Sequence, residues 1–89
     1  MSYFRYRLFR GDEDCHLILD TVTGVLCGNI QHPNSPDYRI WVRVANTERF
    51  QEEQWDEVSP LYFLVVFGMS KEQIHEQFDC GLVYELELK

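Results

Sequence analysis

The side chains best suited to covalent chemistry in this 89-residue chain are three cysteines and three histidines. Cys15 and His16 are adjacent, but neighbouring side chains in a strand point to opposite faces of the sheet, so these two cannot act together as nucleophile and base. Cys27 and Cys80 stand at no recognised spacing from the remaining histidines. We therefore predict that the cysteines are small core residues and that the chain has no catalytic nucleophile.

Metal ligands and phosphate-binding loops also lack their usual spacing. A zinc site would require ligand pairs such as CxxC or HxxxH, and neither pattern occurs. The acidic turn at residues 12–14 lacks the glycine and the distant glutamate of a calcium-binding loop. The sequence thus predicts no metal, no cofactor and no catalytic residues, and we expect a protein that is not an enzyme.

Negative charge is concentrated in the second half of the chain. Fifteen acidic residues exceed eight basic ones, which gives a formal net charge of −7. From residue 1 to 47 five arginines balance five carboxylates, whereas from residue 48 to 89 ten carboxylates face only three cations. Because like charges repel, this composition disfavours binding to nucleic acid or to an anionic membrane.

Two helices are predicted to carry most of these carboxylates. The first is predicted over residues 47–58, with its acidic side chains on one half of the helical wheel. The second is predicted after Ser70, because Ser70 and Gln73 form a capping box and Met69 can pack on Ile74. Their carboxylates are the predicted partner-binding surface: Glu48, Glu52, Glu53, Asp56, Glu57, Glu72, Glu76 and Asp79.

An ordered acidic array of this kind could bind a basic surface on another protein and occupy a site meant for phosphates. The alternative is a solvated face that only maintains solubility. In size and acidity the chain resembles phage-encoded inhibitors of host defence nucleases, such as anti-CRISPR proteins, and immunity proteins of nuclease toxins. We expect an inhibitor of this general type, which acts as a DNA mimic on the basic, nucleic-acid-binding surface of its target.

Arginine and aromatic residues suggest a different function. They interleave in two predicted strands, where they could contact phosphates and stack on bases. The alternative prediction is therefore a module that binds RNA or other single-stranded nucleic acid. Its contact residues would be Tyr3, Arg5, Arg7, Arg39, Trp41 and Arg43.

Alternation of apolar and polar residues predicts most of the strands. Residues 16–20 and 25–29 are predicted to form a hairpin in which the Asp20 carboxylate caps the turn and Gly24 takes a positive φ. Another strand is predicted around Trp41, whose side chain would lie on the outward face with the flanking arginines.

The strands predicted at the two ends of the chain carry opposite charges. Arg5 and Arg7 lie on the outer face of the first, and Glu85 and Glu87 on that of the last, so we predict that these strands are neighbours joined by ion pairs. The unbroken apolar run 61–67 is predicted to be a strand buried on both faces.

Together these elements predict a single α+β domain over residues 1–89, with a mainly antiparallel sheet of about five strands and one or two helices packed on one face. The odd number of cysteines and the lack of a signal-peptide pattern predict a cytoplasmic location. We expect a monomer or a homodimer, whose partner is a protein with a basic surface and not a membrane.

Overall fold

The structure, a computed structural model, describes residues 4–12, 15–32, 35–44, 47–79 and 85–86. Two short 3₁₀ turns, at Thr47–Arg49 and Glu52–Gln54, lie between the fourth and fifth strands. The strands are β1 (Tyr6–Arg10), β2 (His16–Asp20), β3 (Leu26–His32), β4 (Ser35–Val44), β5 (Asp56–Val58) and β6 (Glu85–Leu86), and the helices are α1 (Pro60–Phe67) and α2 (Lys71–Asp79).

The strands form one sheet in the order β5-β1-β2-β3-β4-β6. Strands β1 to β5 pair antiparallel, and the two-residue β6 runs parallel to β4. Both helices contribute side chains to the core on the same face of the sheet. The structure therefore confirms the predicted α+β fold with a mainly antiparallel sheet of about five strands and helices on one face.

The turn between β2 and β3 forms as predicted. Asp20 Oδ1 accepts hydrogen bonds from the backbone N–H groups of Val22 at 2.9 Å and Thr23 at 3.3 Å. Gly24 has a φ of 79°, a region that glycine adopts without steric cost. Arg5 adds two further bonds, from Nε to Oδ1 at 2.7 Å and from Nη2 to Oδ2 at 2.6 Å. The Asp20 carboxylate thus joins the turn to the segment before β1.

Both faces of the sheet are buried, because successive side chains of each strand alternate between two cores. The opposite core, on the face away from the helices, is covered by the segment with the 3₁₀ turns and contains Phe9, Leu17, Leu26 and Val44 with Phe50 and Trp55 packed against them. The helix-side core contains Tyr6, Leu8, Ile18, Cys27, Trp41, Phe63 and Ile74.

The predicted outward position of Trp41 is wrong. Trp41 is buried in the helix-side core, where its ring stacks on Phe63 with the centroids 5.7 Å apart and meets the Phe67 ring edge-on. The face of β4 that carries Trp41 and Arg43 is the face that the helices cover, and Arg43 alone of these two remains exposed. The periodicity of the sequence correctly predicted that side chains of β4 alternate between the two faces of the sheet. It could not show that both faces would be covered by other segments.

The helix predicted over residues 47–58 is also wrong. The segment consists of two 3₁₀ turns followed by β5, and Gln51 between the turns is extended, with φ −112° and ψ 103°. Phe50 packs edge-on against Phe9 at 5.4 Å between centroids, and the Trp55 ring lies against Gly11, where a Cβ would come within 2.6 Å of it. Anchoring of both aromatic rings on the sheet holds the chain in this irregular path.

The apolar run 61–67, predicted as a strand, is helix α1. Ser59 caps its N-terminus, since the Ser59 hydroxyl accepts the N–H of Tyr62 at 3.3 Å, and Pro60 occupies the first turn. Gly68 ends the helix in the left-handed conformation, with φ 67° and its N–H bonded to the Leu64 carbonyl at 2.9 Å. A short apolar run fits a buried strand or a helix equally well, and here the flanking caps select the helix.

Helix α2 follows the predicted capping box closely. The Ser70 N–H donates to Gln73 Oε1 at 2.8 Å, and the Gln73 N–H donates to Ser70 Oγ at 3.2 Å. Ile74 is fully buried, and Met69 packs against the same helix-side core. The capping interactions were therefore predicted correctly.

The predicted pairing of the terminal strands is wrong. β1 lies between β5 and β2, whereas β6 lies at the other edge of the sheet, where Glu85 is in register with Arg43 of β4. Because β5 occupies the edge next to β1, no place remains there for the last strand. Glu87 lies outside the described residues.

Candidate protein-interaction surface

Helix α1 turns a row of apolar side chains toward solvent. Leu61 is 66% exposed, Leu64 47%, Val65 75% and Val66 50%. Leu61, Leu64 and Val65 occupy positions i, i+3 and i+4, so they lie in one stripe on the helix. This spacing is the one that normally faces a core. We call these four residues the α1 outer face.

The α1 outer face exists because α1 is apolar on every side. The sheet takes up only one side of the helix, where Phe63 is fully buried. A helix that is apolar all round is usually buried all round. On α2, by contrast, the exposed positions include Lys71, Glu72 and Glu76, as expected of a helix whose outer side faces solvent. The contrast marks the α1 outer face as a surface that lacks a cover within the described part of the chain.

Charges are absent from the stretch that carries this face. From Val58 to Ser70 the sequence contains no Asp, Glu, Lys or Arg. The nearest carboxylate before it on the same face of the sheet is Asp56, because Asp56 and Val58 are two residues apart in β5 and Val58 packs against the helix-side core. The α1 outer face is thus an uncharged patch with acidic residues beside it in sequence.

Two of the predicted partner-binding carboxylates are held by Arg7. Arg7 donates to Glu57 from Nε at 3.1 Å and from Nη2 at 2.8 Å, and Nη2 also pairs with Glu52. These bonds raise the pKa of Arg7, the bonds to Glu57 contributing most. They also lower the pKa of Glu57, so the pair stays ionised. Because Arg7 neutralises only one of the two carboxylates, the group formed by Arg7, Glu52 and Glu57 carries a net charge of about −1.

The predicted acidic array is divided between the two faces of the sheet. Glu52 and Glu57 meet Arg7 on the face away from the helices, whereas α2 lies on the helix side. Within the described residues no ion pair involves the exposed carboxylates of Glu53, Asp56, Glu72 or Glu76. Glu48 is exposed and takes part in another interaction. The side chain of Asp79 lies outside the described part of the chain.

The arginine and aromatic set is not assembled into one face. Arg5 is paired with Asp20 and Arg7 with the two glutamates described above, while Trp41 is buried and cannot stack on a base. Arg43 borders a cavity of about 370 Å³ that Arg5 and Asp20 also line. Tyr3 and the side chain of Arg39 lie outside the described residues.

The cysteines that the structure describes differ in their surroundings. Cys27 is buried in the core as predicted, and burial raises the pKa of its thiol to about 12, which keeps it protonated at neutral pH. Cys15 is exposed, so its prediction as a core residue is wrong. His16 is buried on the helix side, where its Nε2 lies 3.0 Å from the Tyr62 hydroxyl. Among the described residues no group of three His, Cys, Asp or Glu could hold a metal ion.

A hydrogen bond between Tyr6 and His75 was not predicted. The Tyr6 hydroxyl contacts Nδ1 of His75, which is exposed on α2, and the two lie beside a surface cavity of about 480 Å³ bordered by Lys71 and Glu72. The partners are separated by 69 positions, and no local pattern connects them. The contact anchors α2 on β1.

Within the described residues, no helix combines the length and apolar character that crossing a membrane requires. Comparison of the chain with protein-family models, with curated proteins and with solved structures finds no significant match. The α1 outer face is therefore the feature on which a functional proposal rests.

Proposed function

We propose that this chain is a non-enzymatic protein-binding protein and that the α1 outer face is its principal contact surface. The observation that carries the proposal is the exposure of four apolar side chains on α1, three of which, Leu61, Leu64 and Val65, lie in one stripe. A contiguous apolar patch rimmed by polar residues is typical of a protein–protein contact, whose centre is depleted of charge.

A capture experiment with a matched pair of variants tests this proposal. Val65→Lys places a charge in the centre of the patch, whereas Val22→Lys makes the same change at a residue of similar exposure, 68% against 75%, in the β2–β3 turn. We expect the tagged wild-type chain and Val22→Lys to capture the same protein from the source cells, and Val65→Lys to capture at least tenfold less. Equal capture by both variants would contradict the proposal.

A more specific candidate is an inhibitor that binds the basic, nucleic-acid-binding surface of its target. It is supported by the net charge of −7 and by Glu72 and Glu76, which are exposed on α2 on the same side of the sheet as α1. Exposed carboxylates on the same side of the sheet as an apolar contact surface favour a basic partner and speed its association at low salt.

Charge reversal on α2 tests this candidate. We expect Glu72→Lys/Glu76→Lys to slow association with the captured partner and to weaken its dependence on salt, with the fold unchanged. Thr47→Lys, at an exposed position between β4 and β5, adds positive charge elsewhere and serves as the control. A mobility shift of RNA or single-stranded DNA by the purified wild-type chain near physiological salt would favour nucleic-acid binding instead.

A further inference from the structure

We infer that the cavity of about 370 Å³ beside Arg43 binds a small organic carboxylate, whose carboxylate group pairs with the Arg43 guanidinium and whose apolar body lies against the cavity wall. The inference goes beyond the proposed function, because it assigns a small-molecule ligand to a part of the molecule other than the α1 outer face. It rests on the position of the cavity, on the charges that line it and on its size.

The cavity is built on one end of the sheet. Tyr6 of β1 is in register with Asp20 of β2, and the Asp20 N–H donates to the carbonyl of Val25, the residue before β3, at 2.9 Å. All three residues line the cavity, and Phe78 of α2 borders it as well. Val25 and Phe78 also pack against the helix-side core. The cavity therefore adjoins that core, with walls from the sheet and from α2.

Aromatic and aliphatic side chains supply much of this wall. The Tyr6 ring stacks on the Phe78 ring with the centroids 4.9 Å apart, and Val25 adds a branched aliphatic side chain. Sites for small molecules usually combine apolar walls with a few polar groups that fix the orientation of the ligand. The wall around Tyr6 and Phe78 thus suits the apolar body of a ligand.

The described side chains that line the cavity carry a net positive charge. Arg5 and Asp20 neutralise each other, because Arg5 donates to both oxygens of the Asp20 carboxylate. Burial by itself would raise the pKa of Asp20, but these bonds and those of the turn hold it at about 2, so Asp20 stays ionised at neutral pH. Arg43 is exposed and forms no ion pair within the described part of the chain. Arg43 therefore leaves the lining with a charge of about +1.

A single positive charge on a guanidinium favours a carboxylate over a phosphate ester. The planar guanidinium can donate two parallel hydrogen bonds to the two oxygens of a carboxylate. A phosphate monoester carries close to two negative charges at neutral pH, of which Arg43 could balance only one. The cavity volume of about 370 Å³ lies near the lower end of the range for small-molecule sites, roughly 300–1,000 Å³, so the ligand should be small.

A titration followed by nuclear magnetic resonance tests the inference, with phenylacetate as the probe and the full chain labelled with ¹⁵N. We expect saturable shifts of the Arg43 Nε–H and Val25 backbone N–H signals, with a Kd on the order of 1 mM for so small a ligand. Nuclear Overhauser effects should connect the phenyl ring to the Val25 methyl groups. Phenylacetamide, which has the same shape without the charge, should bind at least tenfold more weakly.

A matched pair of arginine variants shows whether Arg43 holds the carboxylate. Arg43→Gln should weaken binding of phenylacetate at least tenfold. Arg10→Gln makes the same change of charge at an exposed residue at the other end of β1 from Tyr6, and it should bind as the wild type does. Equal binding by the two variants, equal binding of phenylacetamide, or no saturable shift in the wild type would overturn the inference.

Two carboxylates of the chain itself could compete for Arg43. Asp79 follows Phe78 directly, and Glu85 is in register with Arg43, although the side chains of both lie outside the described residues. We expect Asp79→Asn/Glu85→Gln to bind phenylacetate within about threefold of the wild type. Binding that appears only in this double variant would mean that the chain fills its own site, and would overturn the inference.

The choice of a carboxylate is tested with phenyl phosphate. We expect phenyl phosphate to bind more weakly than phenylacetate, because its second negative charge has no partner among the described side chains of the cavity. Tighter binding of phenyl phosphate, lost in Arg43→Gln, would assign the cavity to phosphate esters and overturn the inference of a carboxylate ligand.

Discussion

Replacement of Phe63 by alanine is expected to lower the free energy of unfolding by about 4 kcal/mol, because it removes a buried ring and leaves a cavity. Phe63 is fully buried and contacts aromatic rings on three sides, stacking on Trp41 and meeting His16 and Phe67 edge-on. It is the fully buried residue of α1 in the helix-side core, against which Tyr62 and Phe67 also pack. The loss would be a large fraction of the stability of a domain this small.

Urea denaturation followed by tryptophan fluorescence measures this effect, since Trp41 reports on the same contact. Val65→Ala, on the opposite side of the same helix, is the control, and it should change the free energy of unfolding by well under 1 kcal/mol because Val65 is mainly exposed. Both variants should be measured at the same protein concentration as the wild type. A similar loss in the two variants would contradict the described orientation of α1.

Replacement of Asp20 by asparagine is expected to cost about 2 kcal/mol at neutral pH, because it removes the buried, charged acceptor of the hydrogen bonds from the partly exposed Arg5 guanidinium. Asp20 is buried and binds the Arg5 guanidinium with both carboxylate oxygens. It also accepts the N–H groups of Val22 and Thr23 in the turn. Asparagine is uncharged and can present only one acceptor oxygen to these four donors.

The effect of this substitution should depend on pH in a defined direction. Burial by itself would raise the pKa of Asp20, but the hydrogen bonds from Arg5 and the turn outweigh it and lower the pKa to about 2, from an ordinary value of 3.8. A carboxyl whose folded pKa is lowered stabilises the fold above its unfolded pKa and loses that contribution as pH falls through the folded pKa. The contribution is therefore complete above about pH 5 and disappears between about pH 4 and 2.

The difference in free energy of unfolding between wild type and Asp20→Asn should thus shrink by about 2 kcal/mol between neutral pH and pH 2. Chemical denaturation across this range measures it. Asp56→Asn, at an exposed carboxylate, is the control and should change the free energy of unfolding at neutral pH by well under 1 kcal/mol. A constant difference for Asp20→Asn would mean that the ion pair does not lower this pKa.

The proposed site could be predicted from the sequence only in part. Its residues stand in an unbroken apolar run, which suggested a strand buried on both faces. A strand buried on both faces would expose none of these side chains. Helix α1 instead packs on the sheet with one side only, so the apolar side chains on its other side remain exposed. A reading of Ser59-Pro60 as a helix start, and of Gly68 as its end, would have recovered the helix.

For the carboxylates, the sequence predicted the composition but not the arrangement in space. Their number and their place in the chain were read from the sequence, but their grouping was not. Arg7 binds Glu52 and Glu57 from 45 and 50 positions away. Such ion pairs depend on which segments become neighbours in the fold, and the periodicity of the sequence does not predict these neighbours.

The sequence by itself determined the features that depend on nearby residues. The Asp20 turn and the Ser70–Gln73 capping box form through bonds between residues two to four positions apart, so residue type and spacing suffice. Only the tertiary structure decided that Trp41 is buried, that β5 rather than β6 borders β1, and that the α1 outer face remains exposed. Each of these features depends on which segments pack against each other. That packing joins residues far apart in the sequence, so no local pattern predicts it.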